Sequence, residues 1–155
     1  MIEALNDKEI GTLLDSIYDA RDLFIVHLYL NGLGRHDVQR ILKSTDIEIG
    51  FLEDGWGIIE LDDRTIWLDT DTAPLFEHFQ HQKIDLTMKS LSVIPAQYGT
   101  LADIKKPTTP TNLKATWIIK QLITGLDFNR IFEQSGLTKR TIYHYKNLIE
   151  GLFDG

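Results

Sequence analysis

Apolar residues recur along this chain at two periods, and the change from one to the other predicts its elements. Leu5-Asn6-Asp7-Lys8-Glu9 opens a helix: Asn6 is a good N-cap, and Glu9, three residues on, completes a capping box. Ile10, Leu13, Leu14 and Ile17 form its buried face. Arg21-Asp22 leads into Leu23 through Leu30, apolar on most sides and so expected at the centre of the fold. His27 within it reads as a hydrogen-bonded core residue rather than a ligand. Asn31-Gly32-Leu33-Gly34 ends that helix, and a short one follows to Lys43. Asp46-Ile47-Glu48-Ile49 then opens a β segment. Phe51-Leu52, Gly57–Leu61 and Arg64–Leu68, separated by Asp and Gly, predict a three-stranded meander. Thr70 is expected to cap a helix over 71–82 that buries Leu75, Phe76 and Phe79. Residues 83–106 are the least legible: Leu86, Met88, Leu91, Val93 and Ile94 supply core, and Pro95 is expected to precede a helix through Ile104.

Residues 109–149 return to the helical period. Thr109 or Thr111, Asp127 and Thr138 are suited to cap three successive helices. Gly125 ends the first, and Gly136 sits in the turn between the second and third. Leu113, Trp117, Ile118, Leu122 and Ile123 make one stripe, continued by Phe128, Ile131 and Phe132, then Leu137, Ile142 and Leu148. A short helix, a tight Gly turn and a helix opening with Thr138-Lys139-Arg140 have the outline of a helix-turn-helix.

Length and composition narrow the class. A chain of 155 residues with 43% apolar content is expected to form one domain with a real core. It has no apolar run long enough to cross a bilayer and no signal-peptide pattern, so a cytoplasmic location without membrane association is expected. The absence of cysteine excludes disulfides and thiolate metal sites. A net charge of −7 argues against a broad, nonspecific nucleic-acid binder. The charge is uneven, however. Residues 1–99 carry 8 Lys and Arg against 18 Asp and Glu, and residues 100–155 carry 8 against 5. The basic part coincides with the three-helix stretch and suggests an end that faces a polyanion; a solvated surface with chance clustering is the plain alternative. Asp62-Asp63 lacks a third ligand, and His78 with His81 at i and i+3 reads as exposed helix residues, so no metal or other cofactor is expected.

From Leu5 to Ile149 the chain also resembles the catalytic domain of the tyrosine recombinases, the Xer and phage-integrase family. The opening Leu5-Asn6-Asp7-Lys8-Glu9-Ile10 resembles that domain's first helix. Pro110-Thr111-Asn112-Leu113-Lys114-Ala115-Thr116-Trp117 stands where the family reads P-H-x-L-R-H-x-F. Gly125-Leu126-Asp127, Phe132-Glu133-Gln134 and Ile142-Tyr143 follow, resembling the G-x-D helix, the L-G-H segment and the final T-x-x-Y. The resemblance implies a mostly helical α+β fold with a small three-stranded antiparallel sheet and a helix-turn-helix-like C-terminal part. It also implies one integrase-catalytic-like domain over residues 1–155, without the family's N-terminal core-binding domain, and a DNA-contacting helical part over 109–149.

The same resemblance allows each catalytic role to be checked. In the family a Tyr hydroxyl attacks a phosphodiester, two Arg hold the phosphate, and Lys with His or Trp assist. Tyr143 falls in the nucleophile's place, with Tyr145 nearby. The first Arg becomes Gly34, Asp37 matches an acidic position, and Arg35 is adjacent to the vacated place. The His of H-x-x-R becomes Thr111, its Arg becomes Lys114, and the later His or Trp becomes Gln134. The Lys expected between the last two strands is absent, and Arg64 lies near that turn beside Asp62 and Asp63.

The leading expectation is therefore a catalytically degenerate, recombinase-like DNA-binding protein with a regulatory or accessory role. Its duplex contacts are expected to come from Lys114, Thr138, Lys139, Arg140, Tyr143, His144 and Lys146. One alternative is an active site-specific recombinase, or a fragment of one, cleaving through Tyr143 with Arg35, Lys114 and Arg64. Others are a helix-turn-helix transcription regulator and a protein-interaction module. The tail Gly151–Gly155 is a candidate for docking on another copy or on a partner recombinase, and equally for folding back on its own core.

Overall fold

The structure, a computed structural model, describes residues 2–154, with side chains described through Glu150 except at Leu148. The tail's docking role therefore falls on side chains outside the described residues.

Helix α1 (Asp7–Asp15) starts at the expected capping box: the Asn6 side chain accepts the Glu9 N–H, and the Glu9 carboxylate accepts the Asn6 N–H. Helix α2 (Ala20–Leu30) is the axis of the molecule, with every residue from Phe24 to Tyr29 buried. Its apolar circumference in the sequence reflects neighbours on all sides: α3 (Arg35–Lys43), α4 (Thr72–Phe79), α5 (Met88–Leu101) and α6 (Pro110–Thr124) all pack on it. His27 is buried, with Nδ1 3.4 Å from the Thr72 hydroxyl, as expected of a core histidine.

The meander is present as an antiparallel sheet in the order β1 (Gly50–Phe51), β2 (Gly57–Leu61), β3 (Arg64–Leu68). Ile59 pairs with Ile66, and both point into the core. Two expectations fail beside it. Residues 46–49 form no strand, and β1 begins only at Gly50. Thr70 does not cap α4. Asp69 does, its carboxylate accepting from the Asp71 and Thr72 amides and from the Thr72 hydroxyl. α4 is also shorter than expected, ending at Phe79.

Pro95 lies inside α5 rather than before a helix. A helical proline removes one amide and orphans the carbonyl four residues earlier. Here that carbonyl, Leu91 O, accepts the phenol of buried Tyr29 at 2.9 Å, so no polar group is left without a partner. The proline is thus tolerated because α2 supplies the missing donor, a long-range fact that no local pattern contains.

The main core runs from Leu5 to Leu113 and takes in α1–α5 and the sheet. A second, smaller cluster of Ala115, Ile118, Ile131, Ile142 and Tyr145 joins α6 to α7 (Phe128–Ser135) and α8 (Lys139–Asp154). The caps of this part are as expected: Thr109 holds the Asn112 amide, Asp127 the Asn129 and Arg130 amides, and Thr138 the Thr141 amide. Gly125 and Gly136 take positive φ, of 81° and 67°, which favours glycine at these helix ends. Ile123 and Phe132, expected in the buried stripe, are instead exposed. The N-terminal segment is strapped to α6 by a ladder of side chains at i, i+4 and i+8. Asn112 exchanges two hydrogen bonds with the Glu3 backbone, Thr116 accepts the Leu5 amide, and Lys120 pairs with Asp7.

Candidate nucleic-acid interface

Asp37, on the first turn of α3, and Arg64, at the start of β3, face each other. The two guanidinium nitrogens meet the two carboxylate oxygens at 3.0 and 2.9 Å. The same guanidinium donates from Nε to Glu133 O (2.9 Å) and from Nη2 to Gln134 O (3.0 Å). Those carbonyls end α7, where helical acceptors are orphaned and a cation is favoured by the helix dipole. Four hydrogen bonds thus occupy Arg64. Asp62 and Asp63, beside Arg64 in the sequence, are not its partners; Asp62 pairs with Arg40 at 3.6 Å.

Lys114 projects from α6 into the same place. Its Nζ would lie 3.3 Å from a Cβ built on Gly34, so the missing side chain at 34 gives the amine its room. Burial holds the Lys114 ammonium below the usual lysine range; Asp37 opposes that shift and Arg64 adds to it. Arg35 turns elsewhere: its guanidinium donates to the Ser92 hydroxyl of α5 at 2.9 Å. No hydrogen bond or ion pair among the described residues joins it to Lys114 or Tyr143.

Helix α7 is fixed to the open edge of the sheet by two side chains. Glu133 accepts the Thr65 amide at 2.8 Å. Buried Gln134 accepts the Trp67 amide at 2.8 Å and donates to Trp67 O (2.7 Å) and Asn31 O (2.9 Å). An edge strand carries unpaired amides and carbonyls, and here α7 pairs those at 65 and 67. In the sequence Gln134 stands out only as a replaced catalytic position. Its clamp was not legible, because the partners lie 67 and 103 residues away.

The remaining candidates lie on α8. Thr138 is taken up by its cap. Lys139, Arg140, Tyr143, His144 and Lys146 are exposed. Tyr143 is 52% exposed, its ring tilted against Phe128 at 4.7 Å, and its hydroxyl has no partner among the described residues. Tyr145, by contrast, is buried in the second cluster. The cations divide in the same way. Lys105, Lys106 and Lys120 each meet a carboxylate. Lys114, Arg130, Lys139, Arg140 and Lys146 meet none among the described residues. The first turn of α8 holds Lys139 and Arg140 and no acidic residue. Dipole energetics prefer the opposite arrangement at a helix N-terminus.

The whole arrangement is the fold of the Xer tyrosine recombinases. The XerA recombinase structure superposes with a TM-score of 0.73 over 94% of this chain and 60% of that one, at 17% identity. The XerH site-specific recombinase bound to palindromic difH substrate, a post-cleavage complex, gives 0.71 over 94% and 49%, at 16% identity. Its pre-cleavage complex with difH gives 0.70 over 96% and 52%, at 17% identity. The chain thus spans between about half and 60% of these structures' length. No family model and no curated protein matches the sequence. Among the described residues no helix is long and apolar enough to cross a membrane.

Proposed function

We propose that this chain is a recombinase-like protein that binds duplex DNA through its terminal helices without cutting it, in a regulatory or accessory role. The observation that carries the DNA part is the group of exposed cations on α8, led by Lys139 and Arg140, without carboxylate partners among the described residues. Likeness to proteins solved with their DNA substrates supports the same reading. Lys139 and Arg140 are assigned to backbone phosphates at a helix N-terminus, with His144 and Lys146 further along; the Thr138 side chain, expected among these contacts, is engaged in its cap.

The Arg64 site disfavours cleavage. Phosphodiester attack by Tyr143 needs several donors on the phosphate as charge grows, each worth roughly 2–4 kcal/mol of barrier. Arg64 is held by Asp37 and two carbonyls, Gly34 has no side chain, and Lys114 offers a point charge rather than a two-pronged donor. Lys114 is therefore assigned to phosphate contact and Tyr143 to a vestigial or backbone-contacting role. An active recombinase is the rival reading, and the accessible Tyr143 hydroxyl is the one observation that favours it.

Fluorescence anisotropy with labelled duplex DNA tests the proposal. Affinity is expected to fall as salt rises, and replacing Lys139 and Arg140 by Ala is expected to weaken binding and flatten the salt slope by about two. Undetectable binding at low salt removes the DNA reading and leaves a protein-interaction module.

A further inference from the structure

The three tryptophans of the chain, Trp56, Trp67 and Trp117, come from the β1–β2 turn, β3 and α6, and all line one cavity of about 390 Å³. That volume is within the range of small-molecule sites. Leu126 adds to its apolar lining, and Arg130 and Asp54 supply charge. Arg130 rests on the Trp67 ring, 4.1 Å from its centroid, and its donors meet no protein acceptor among the described residues. Asp54 accepts the Trp56 amide with one oxygen (3.1 Å), and its other oxygen has no partner there. None of the three indole N–H groups meets a protein acceptor among the described residues. No buried side-chain polar atom is unsatisfied among the described residues, so the N–H groups of Trp67 and Trp117 are not sealed from solvent, and Trp56 is itself exposed.

Concentrated indole surface with an unpaired guanidinium selects a flat, anionic ligand. A bare cation is disfavoured, because Arg130 already covers a Trp67 face and would repel it. Indole faces stack on heterocycles, the guanidinium suits a phosphate, and Asp54 suits the N–H edge of a base. We propose that this cavity binds a nucleotide, its base on the tryptophans and its phosphate on Arg130. The source is either a free mononucleotide or an unstacked nucleotide of single-stranded DNA. The site does not depend on the α8 cations, so it stands or falls apart from duplex binding.

Because all three tryptophans line the cavity, their emission reports its occupancy directly. Guanosine 5′-monophosphate, guanosine and a short single-stranded oligonucleotide would each be titrated against the full chain. Saturable quenching is expected from the monophosphate or the oligonucleotide, with guanosine weaker than its monophosphate. Response to the monophosphate identifies a free nucleotide as the ligand; response to the oligonucleotide alone identifies an unstacked one. Arg130→Gln is expected to weaken binding by about tenfold, the scale of one charge-assisted contact. The pair Lys139→Ala with Arg140→Ala is expected to leave quenching by the monophosphate unchanged, since that probe is too small to reach α8 from the cavity. Should Arg130→Gln fail to fold, Asp54→Asn in the exposed turn takes its place, with several-fold weaker binding expected. No saturable quenching by any probe overturns the proposal, as does quenching that survives the cavity variant or monophosphate quenching that is lost equally in the α8 pair.

Discussion

Two neighbouring groups of side chains, meeting at Gln134, differ in what their polar groups do. In the cluster of Asp37, Arg64, Glu133 and Gln134, charges and amides are matched to one another, and the helix end and the sheet edge are satisfied by it. In the tryptophan cavity and along α8, Arg130, Lys139, Arg140 and Lys146 have no carboxylate partner among the described residues. Both sets contain the residue types from which active sites are built. The difference lies in existing partners: the donors of Arg64 are engaged inside the protein, and those of Arg130 are not. Groups matched internally hold α7 in place, and groups left unmatched are available to a ligand.

The largest expected effect is on the matched side. Gln134→Ala removes three hydrogen bonds to backbone groups, two of them on β3, and is expected to lower unfolding free energy by about 3 kcal/mol or more. Denaturant unfolding measures it; a loss near zero would mean that the clamp is not what fixes α7. Arg64→Ala is expected to cost about 2 kcal/mol of stability while leaving duplex affinity nearly unchanged. A protein of normal stability that has lost DNA binding would assign Arg64 to the interface instead. The α8 pair Lys139→Ala with Arg140→Ala should give the reverse pattern. Affinity is expected to drop by about tenfold or more, while stability stays level or rises by a few tenths of a kcal/mol as cations leave a helix N-terminus.

The smallest effect concerns pH. Burial lowers the His27 pKa below its ordinary 6.5, with Asp69 and Asp71 partly opposing. The unfolded chain therefore takes up this proton at a higher pH than the folded one. Stability contributed by neutral His27 is present above 6.5 and declines as pH falls from there toward the folded value. In His27→Gln that part of the decline is expected to be missing, and thermal unfolding from neutral to mildly acid pH compares the two.

Much of the architecture was legible locally. Asn6 with Glu9, Asp127 and Gly125 announce helix ends through their own backbone chemistry, and the alternation from Gly57 to Leu68 announces the hairpin. What escaped were features whose cause lies far along the chain. Pro95 is helical because Tyr29 donates to Leu91 O, 62 residues away. Asp69 rather than Thr70 caps α4 because a carboxylate can accept several donors at once. Among the candidate site residues, the place of Lys114 beside Gly34 was readable from the family pattern. The binding of Arg64 to Asp37 and of Arg35 to Ser92 was not, because both bring together elements distant in the chain.

Covalent trapping on a nicked duplex, followed by denaturing electrophoresis, tests the central claim most directly, since it asks whether bound DNA is also attacked. With Arg64 held by Asp37, salt-sensitive binding and no protein–DNA adduct are expected, alike in wild type and Tyr143→Phe. An adduct that forms with wild type and disappears in Tyr143→Phe would contradict it and make the chain a working recombinase.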